Sequence, residues 1–150
     1  MTDPPPDICS EIISARDAGH VTCAIYTGDD ILSRGQRLGT LGFRNLKEPN
    51  WTEASPERAL QLLAWCLHRD LAYDSQIMPH NQALQMAGAF LERLPEGCRL
   101  LTNTGSLLSS RQAKRTSWSW SPITHSTFDT GIIAQKDRGV VGVLWFEDED

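Results

Sequence analysis

The chain lacks the features of exported, membrane-bound and metal-binding proteins. No apolar run approaches the roughly 20 residues that a transmembrane helix needs, and the acidic, proline-rich start lacks the basic and apolar regions of a secretory signal. The four cysteines are far apart and form no Cys-x-x-Cys pair of the kind found in zinc sites. We therefore expect a cytoplasmic protein that contacts no membrane and binds no metal, with reduced cysteines acting as small apolar side chains.

The common catalytic motifs are also missing. There is no Gly-x-Ser-x-Gly elbow and no His-Glu-x-x-His pair, and the glycines do not have the spacing of a phosphate-binding loop. The usual hydrolase, metalloprotease and dinucleotide-binding mechanisms therefore have no support. These absences favour a non-enzymatic protein over an enzyme, and we expect no cofactor.

Size and composition indicate one soluble globular domain. The chain has 150 residues, of which 40% are hydrophobic and 22% are charged, and a domain of this size can bury a sufficient core without metals or disulfides. Three consecutive prolines near the start cannot donate backbone hydrogen bonds. We therefore predict a disordered lead at 1–6 and a single domain at 7–150.

Hydrophobic periodicity predicts an α+β fold. The last two predicted strands are both rich in β-branched residues and are separated by a short turn containing glycine, which is typical of a hairpin. We therefore predict a mainly antiparallel sheet with a C-terminal β-hairpin packed against two or three helices. The predicted helices are 7–18, 55–71 and 80–94; the predicted strands are 21–26, 98–102, 127–135 and 140–146, with one or two short strands within 38–43.

Negative charge is concentrated at the end of the chain. The net charge is -5, and the last four residues are all acidic. A charged surface flanked by aromatic residues favours association with a basic macromolecule such as a toxin, a nuclease or a defence effector, as in immunity proteins, antitoxins and phage anti-defence inhibitors. Clustered carboxylates could instead hold Mg²⁺ or Ca²⁺, but at a terminus they are more often solvated. The predicted partner-binding residues are Trp118, Trp120, Asp129, Glu147, Asp148, Glu149 and Asp150.

Two His-x-Thr triplets provide an alternative. His20 and Thr22 form one, and His125 and Thr127 form the other. Paired triplets on neighbouring strands are similar to the signature of 2H phosphoesterases, and this resemblance implies that one imidazole acts as base, the other as acid, and the hydroxyls hold the phosphate. The alternative function is thus a 2H-like phosphoesterase or nucleotide-binding enzyme, with phosphate neutralised by Arg111, Lys114 or Arg115.

Charge and topology bear on two further kinds of partner, nucleic acid and a second copy of the chain. The sequence pI near 5.3 disfavours a nucleic-acid footprint. An apolar hairpin edge could pair with a second copy of the chain, so a homo-oligomer is a third alternative.

Overall fold

The computed structural model describes residues 7–104 and 122–149. These residues form one α+β domain, which confirms the predicted fold class, and within them there are four α-helices, two short 3₁₀ turns and five strands. The predicted lead at 1–6 lies outside the described residues. The elements are α1 (Ile8–Ala15), β1 (His20–Ile25), α2 (Arg34–Thr40), β2 (Thr52–Ala54), α3 (Pro56–His68), α4 (His80–Glu92), β3 (Arg99–Thr102), β4 (Phe128–Lys136) and β5 (Gly139–Asp148).

All five strands belong to one antiparallel sheet in the order β1-β5-β4-β3-β2. The predicted C-terminal hairpin is confirmed as β4 and β5, which pair from Lys136 opposite Gly139 to Phe128 opposite Asp148. Its turn holds Asp137 at φ 56°, a left-handed conformation that Asp tolerates better than most residues. β5 extends two residues beyond the predicted end at 146 and includes Asp148.

The helices follow from local signals in the sequence. α3 begins where the Ser55 hydroxyl accepts the backbone N–H of Arg58, with Pro56 at the first helical position. α1 and α3 each end three residues before their predicted ends, at Ala15 and His68.

No described helix has the length and apolar character that crossing a bilayer requires.

The prediction of short strands within 38–43 is wrong. Residues 34–40 form α2, and a capping box starts this helix: the Ser33 hydroxyl accepts the Gln36 backbone N–H, and the Gln36 side chain accepts the Ser33 backbone N–H. Gly35 and Gly39, which suggest turns in the sequence, lie inside this helix because the cap and the burial of Leu38 outweigh their low helix propensity.

The sheet is buried on both sides. One side, which we call the helix face, packs against α1, α3 and α4 and includes Leu144 and Phe146 of β5. The other side, which we call the Trp145 face, packs Trp145 and Val143 against Leu38 of α2. Successive residues of a strand point to opposite sides, so an uninterrupted apolar run in β5 serves both cores.

Candidate functional site

The acidic residues near the end of the chain fall into two groups. The side chains of Asp129 and Asp148 are buried, each with only 1% of its surface exposed. Glu147 is half-buried and Glu149 is exposed. Burial removes the first two carboxylates from any surface that a partner could contact. Asp150, Trp118, Trp120, Arg111, Lys114 and Arg115 lie outside the described residues.

Asp148 is bound on the helix face by an internal cation. Arg16 donates from two guanidinium nitrogens to the two carboxylate oxygens, at 2.9 and 2.7 Å, and the backbone N–H of Leu71 donates to the same carboxylate at 2.7 Å. The Arg16 side chain also donates to the carbonyl oxygens of Cys66 and Ala18, each at 2.8 Å. These bonds fix the end of β5 to the end of α1 and to the segment after α3.

Gly19 allows this close approach. Its φ is +59°, and a Cβ there would collide with the Asp148 carboxylate and the Glu147 carbonyl oxygen. Only glycine combines this backbone conformation with such a close neighbour. The turn between α1 and β1 therefore passes directly over the end of β5.

Asp129 serves a similar purpose on the Trp145 face. Its carboxylate accepts the backbone N–H groups of Ile123 at 3.2 Å and Thr124 at 3.1 Å, and the Thr124 hydroxyl at 2.7 Å. It also accepts the Asn103 side-chain amide at 3.0 Å and the Trp145 indole N–H at 3.3 Å. Asp129 thus fixes the segment that leads into β4.

Hydroxyl groups of the segment that leads into β4 hold the two remaining glutamates in place. The Ser126 hydroxyl donates to Glu147 at 3.0 Å, and the Thr127 hydroxyl donates to Glu149 at 2.7 Å. The bond from Thr127 holds the pKa of Glu149 below its usual value. Because Asp148 points to the helix face, its neighbour Glu147 points to the opposite side of the sheet.

The two histidines of the triplets lie beside these glutamates. His20 is exposed and pairs with Glu147 across β1 and β5. His125 is also exposed and directly precedes Ser126, which contacts Glu147. We call the surface formed by His20, His125, Ser126, Thr127, Glu147 and Glu149 the β5-end surface.

The two triplets gather at one end of the sheet but do not occupy neighbouring strands. The first begins β1, whereas the second lies in a bend that precedes β4, and β5 lies between β1 and β4. The Thr127 hydroxyl, which the resemblance assigns to phosphate, donates to Glu149. Carboxylates beside both triplets repel a phosphate and attract a cation, so this surface fits a basic group better.

Within 7–104 and 122–149, no three His, Cys, Asp or Glu side chains are placed to hold a metal ion together. No protein-family model, curated protein or solved structure matches this chain.

Proposed function

We propose that this chain is a non-enzymatic binding protein that neutralises a basic macromolecular partner, in the manner of immunity proteins, antitoxins or phage anti-defence inhibitors. The observation that carries the proposal is the placement of two carboxylates on the β5-end surface. Glu147 and Glu149 each accept a side-chain hydrogen bond, at the end of a strand that the buried Arg16–Asp148 pair anchors.

Anchoring favours binding because it reduces the cost of ordering side chains. A flexible acidic tail loses conformational entropy when it meets a partner, whereas carboxylates that are already held lose less. The net charge of -5 adds a long-range attraction to a basic protein, which raises the association rate and selects against acidic partners. Paired carboxylates are also suitable acceptors for Arg guanidinium groups.

The proposal is tested by capturing partners from native host cells at low and at moderate salt and measuring the affinity of the purified partner by calorimetry. We expect the double substitution E147Q/E149Q to weaken binding about tenfold or more and to reduce its salt dependence.

The matched control is E92Q/E96Q, which removes the same number of carboxylates from two exposed positions. Glu92 ends α4, and Leu94 just beyond it approaches Gly142, towards the other end of β5. We expect this control to bind nearly as well as the natural chain. Absence of a stoichiometric partner at both salt concentrations, or equal weakening by both double variants, would contradict the proposal.

The alternative is a phosphoesterase that uses His20, Thr22, His125 and Thr127. The observation in its favour is that residues of both triplets surround the end of β5. It is tested by incubating the full chain with bis(p-nitrophenyl) phosphate and with a cyclic nucleotide. We expect the natural chain to turn over neither substrate faster than H20A or H125A does. Turnover by the natural chain that each of the two substitutions abolishes would establish the alternative instead.

A further inference from the structure

Cys9 and Cys23 form a close pair of thiols. Cys9 lies in the first turn of α1 and Cys23 lies in β1, and their sulfur atoms are 2.6 Å apart. A covalent S–S bond is about 2.05 Å long, so a small approach brings the two sulfurs to bonding distance. The other two cysteines have different surroundings: Cys66 is fully buried and Cys98 donates to the Pro95 carbonyl oxygen.

The pair lies close to the protein surface, with Cys9 8% exposed and Cys23 half-buried. Both cysteines line a surface cavity of about 500 Å³, whose wall also includes Asp7, Ile8 and Arg93. A cavity of this volume can admit a small molecule. The exposed Arg93 guanidinium adds a cation that could attract the carboxylates of a peptide disulfide.

The two thiols differ in acidity. The hydrogen bond from Cys23 lowers the pKa of Cys9, against the opposing effects of burial and of the Asp7 carboxylate. The same hydrogen bond, together with burial, raises the pKa of Cys23. The thiolate is the nucleophile in thiol–disulfide exchange, and the hydrogen bond that Cys23 donates favours the thiolate form of Cys9.

We propose that Cys9 and Cys23 form a reversible disulfide by exchange with low-molecular-weight disulfides such as glutathione disulfide. The Cys9 thiolate attacks one sulfur of glutathione disulfide, which forms a mixed disulfide and expels one glutathione thiolate. Cys23 then loses its proton to water and attacks the Cys9 sulfur, which forms the Cys9–Cys23 bond and expels the second glutathione thiolate. Two protein thiols are oxidised and one glutathione disulfide is reduced to two thiols.

The bond would restrain a functional part of the chain. It closes a loop from Cys9 in α1 to Cys23 in β1, which contains Arg16, Gly19 and His20. Arg16 anchors β5 through Asp148, and His20 lies on the β5-end surface. Oxidation would therefore restrain the segment next to this surface, whether or not that surface binds a basic partner.

The test is peptide mapping of the natural chain after equilibration in buffers with different ratios of reduced to oxidised glutathione. Trypsin cleaves after Arg16, between the two cysteines, so the disulfide joins peptides 1–16 and 17–34. After alkylation, mass spectrometry without reduction should detect this joined pair, lighter by two hydrogens than its separate parts. Its amount should increase with the oxidised fraction and return to zero with dithiothreitol.

One variant tests the order of attack, and a second serves as its control. We expect C23S to stop at the mixed disulfide, with glutathione retained on Cys9, and we expect the control C98S to form the joined pair as the natural chain does. The oxidised natural chain should also unfold at a temperature several degrees higher than the reduced chain.

Four results would overturn the proposal. The first is that the joined pair does not form under conditions in which Cys98 does accept glutathione, and the second is that glutathione stays on Cys9 of the natural chain. The third is that Cys9 or Cys23 joins to another cysteine, and the fourth is that dithiothreitol leaves the Cys9–Cys23 bond intact.

Discussion

Arg16 and Asp148 form a two-pronged ion pair inside the protein, although their positions in the chain differ by 132. Their side chains are 0% and 1% exposed. Burying two charges costs considerable solvation free energy, which is recovered only when every polar atom is bonded. Arg16 donates to carbonyl oxygens as well as to the carboxylate, and Asp148 also accepts a backbone N–H. The pair therefore holds the end of β5 in one position.

Removing the charge of Asp148 should destabilise the fold strongly. D148N leaves the Arg16 guanidinium buried beside a neutral amide, and breaking a buried pair in this way typically costs about 3–5 kcal/mol. Urea unfolding followed by circular dichroism measures the loss. The control E149Q neutralises the adjacent exposed carboxylate and should change the free energy of unfolding by less than about 0.5 kcal/mol. Equal effects of the two substitutions would show that the buried pair does not anchor β5.

Shortening the chain should have effects that depend on whether Asp148 is kept. A chain ending at Glu149 retains the Arg16–Asp148 pair and should unfold within a few degrees of the natural protein. A chain ending at Phe146 loses Asp148 and leaves Arg16 without its carboxylate, so its melting temperature should decrease by roughly 10 °C or more. Thermal unfolding of both chains measures this difference, and a chain ending at Phe146 that melts normally would contradict it.

The sequence predicts elements whose signals are local. The start of α3 is encoded by Ser55 and Pro56, and the hairpin is encoded by two β-rich runs around a short turn. The glycines of α2 indicate turns, whereas its Ser33–Gln36 capping box indicates the start of a helix. A capping signal at the start of a helix is thus more reliable than the composition of the segment.

The candidate site depends on contacts that sequence spacing does not contain. A terminal run of acids usually indicates solvated side chains, and the cation that binds Asp148 lies near the other end of the chain. Alternation along β5 does not separate the two kinds of acid, because Asp148 shares a side with the buried Phe146 and Glu147 shares a side with the equally buried Trp145. Arg16 gives no signal either, since a polar residue at the end of an amphipathic helix is ordinarily exposed.

Replacing Asp129 should also destabilise the protein, for a different reason. In D129N, an amide group replaces one acceptor oxygen, so that buried donors such as the Thr124 hydroxyl or the Trp145 indole lose their partner. We expect a loss of about 2–5 kcal/mol in urea unfolding. The control D137N alters an exposed turn residue whose φ of 56° Asn also tolerates, and it should be nearly neutral. A neutral D129N would show that the carboxylate charge is not required there.

Cys66 should make stability decrease at alkaline pH. Burial raises the pKa of its thiol from the usual value of about 9 to about 12. Between these values the unfolded chain has lost the thiol proton while the folded chain keeps it, so the contribution of Cys66 to stability is complete below pH 9. It then decreases by about 1.4 kcal/mol per pH unit until the folded thiol also ionises.

Urea unfolding of the natural chain and of C66A under reducing conditions, at pH values from 7 to about 10.5, measures this effect, because the other titrating groups are common to both chains. At neutral pH the natural chain should be more stable by about 1 kcal/mol, since alanine leaves a small cavity. By about pH 10.5 that advantage should disappear or reverse. The control I12V removes a buried methylene and no titrating group, so its difference from the natural chain should not depend on pH. A C66A difference that is equally constant would mean that the thiol is not protected by burial.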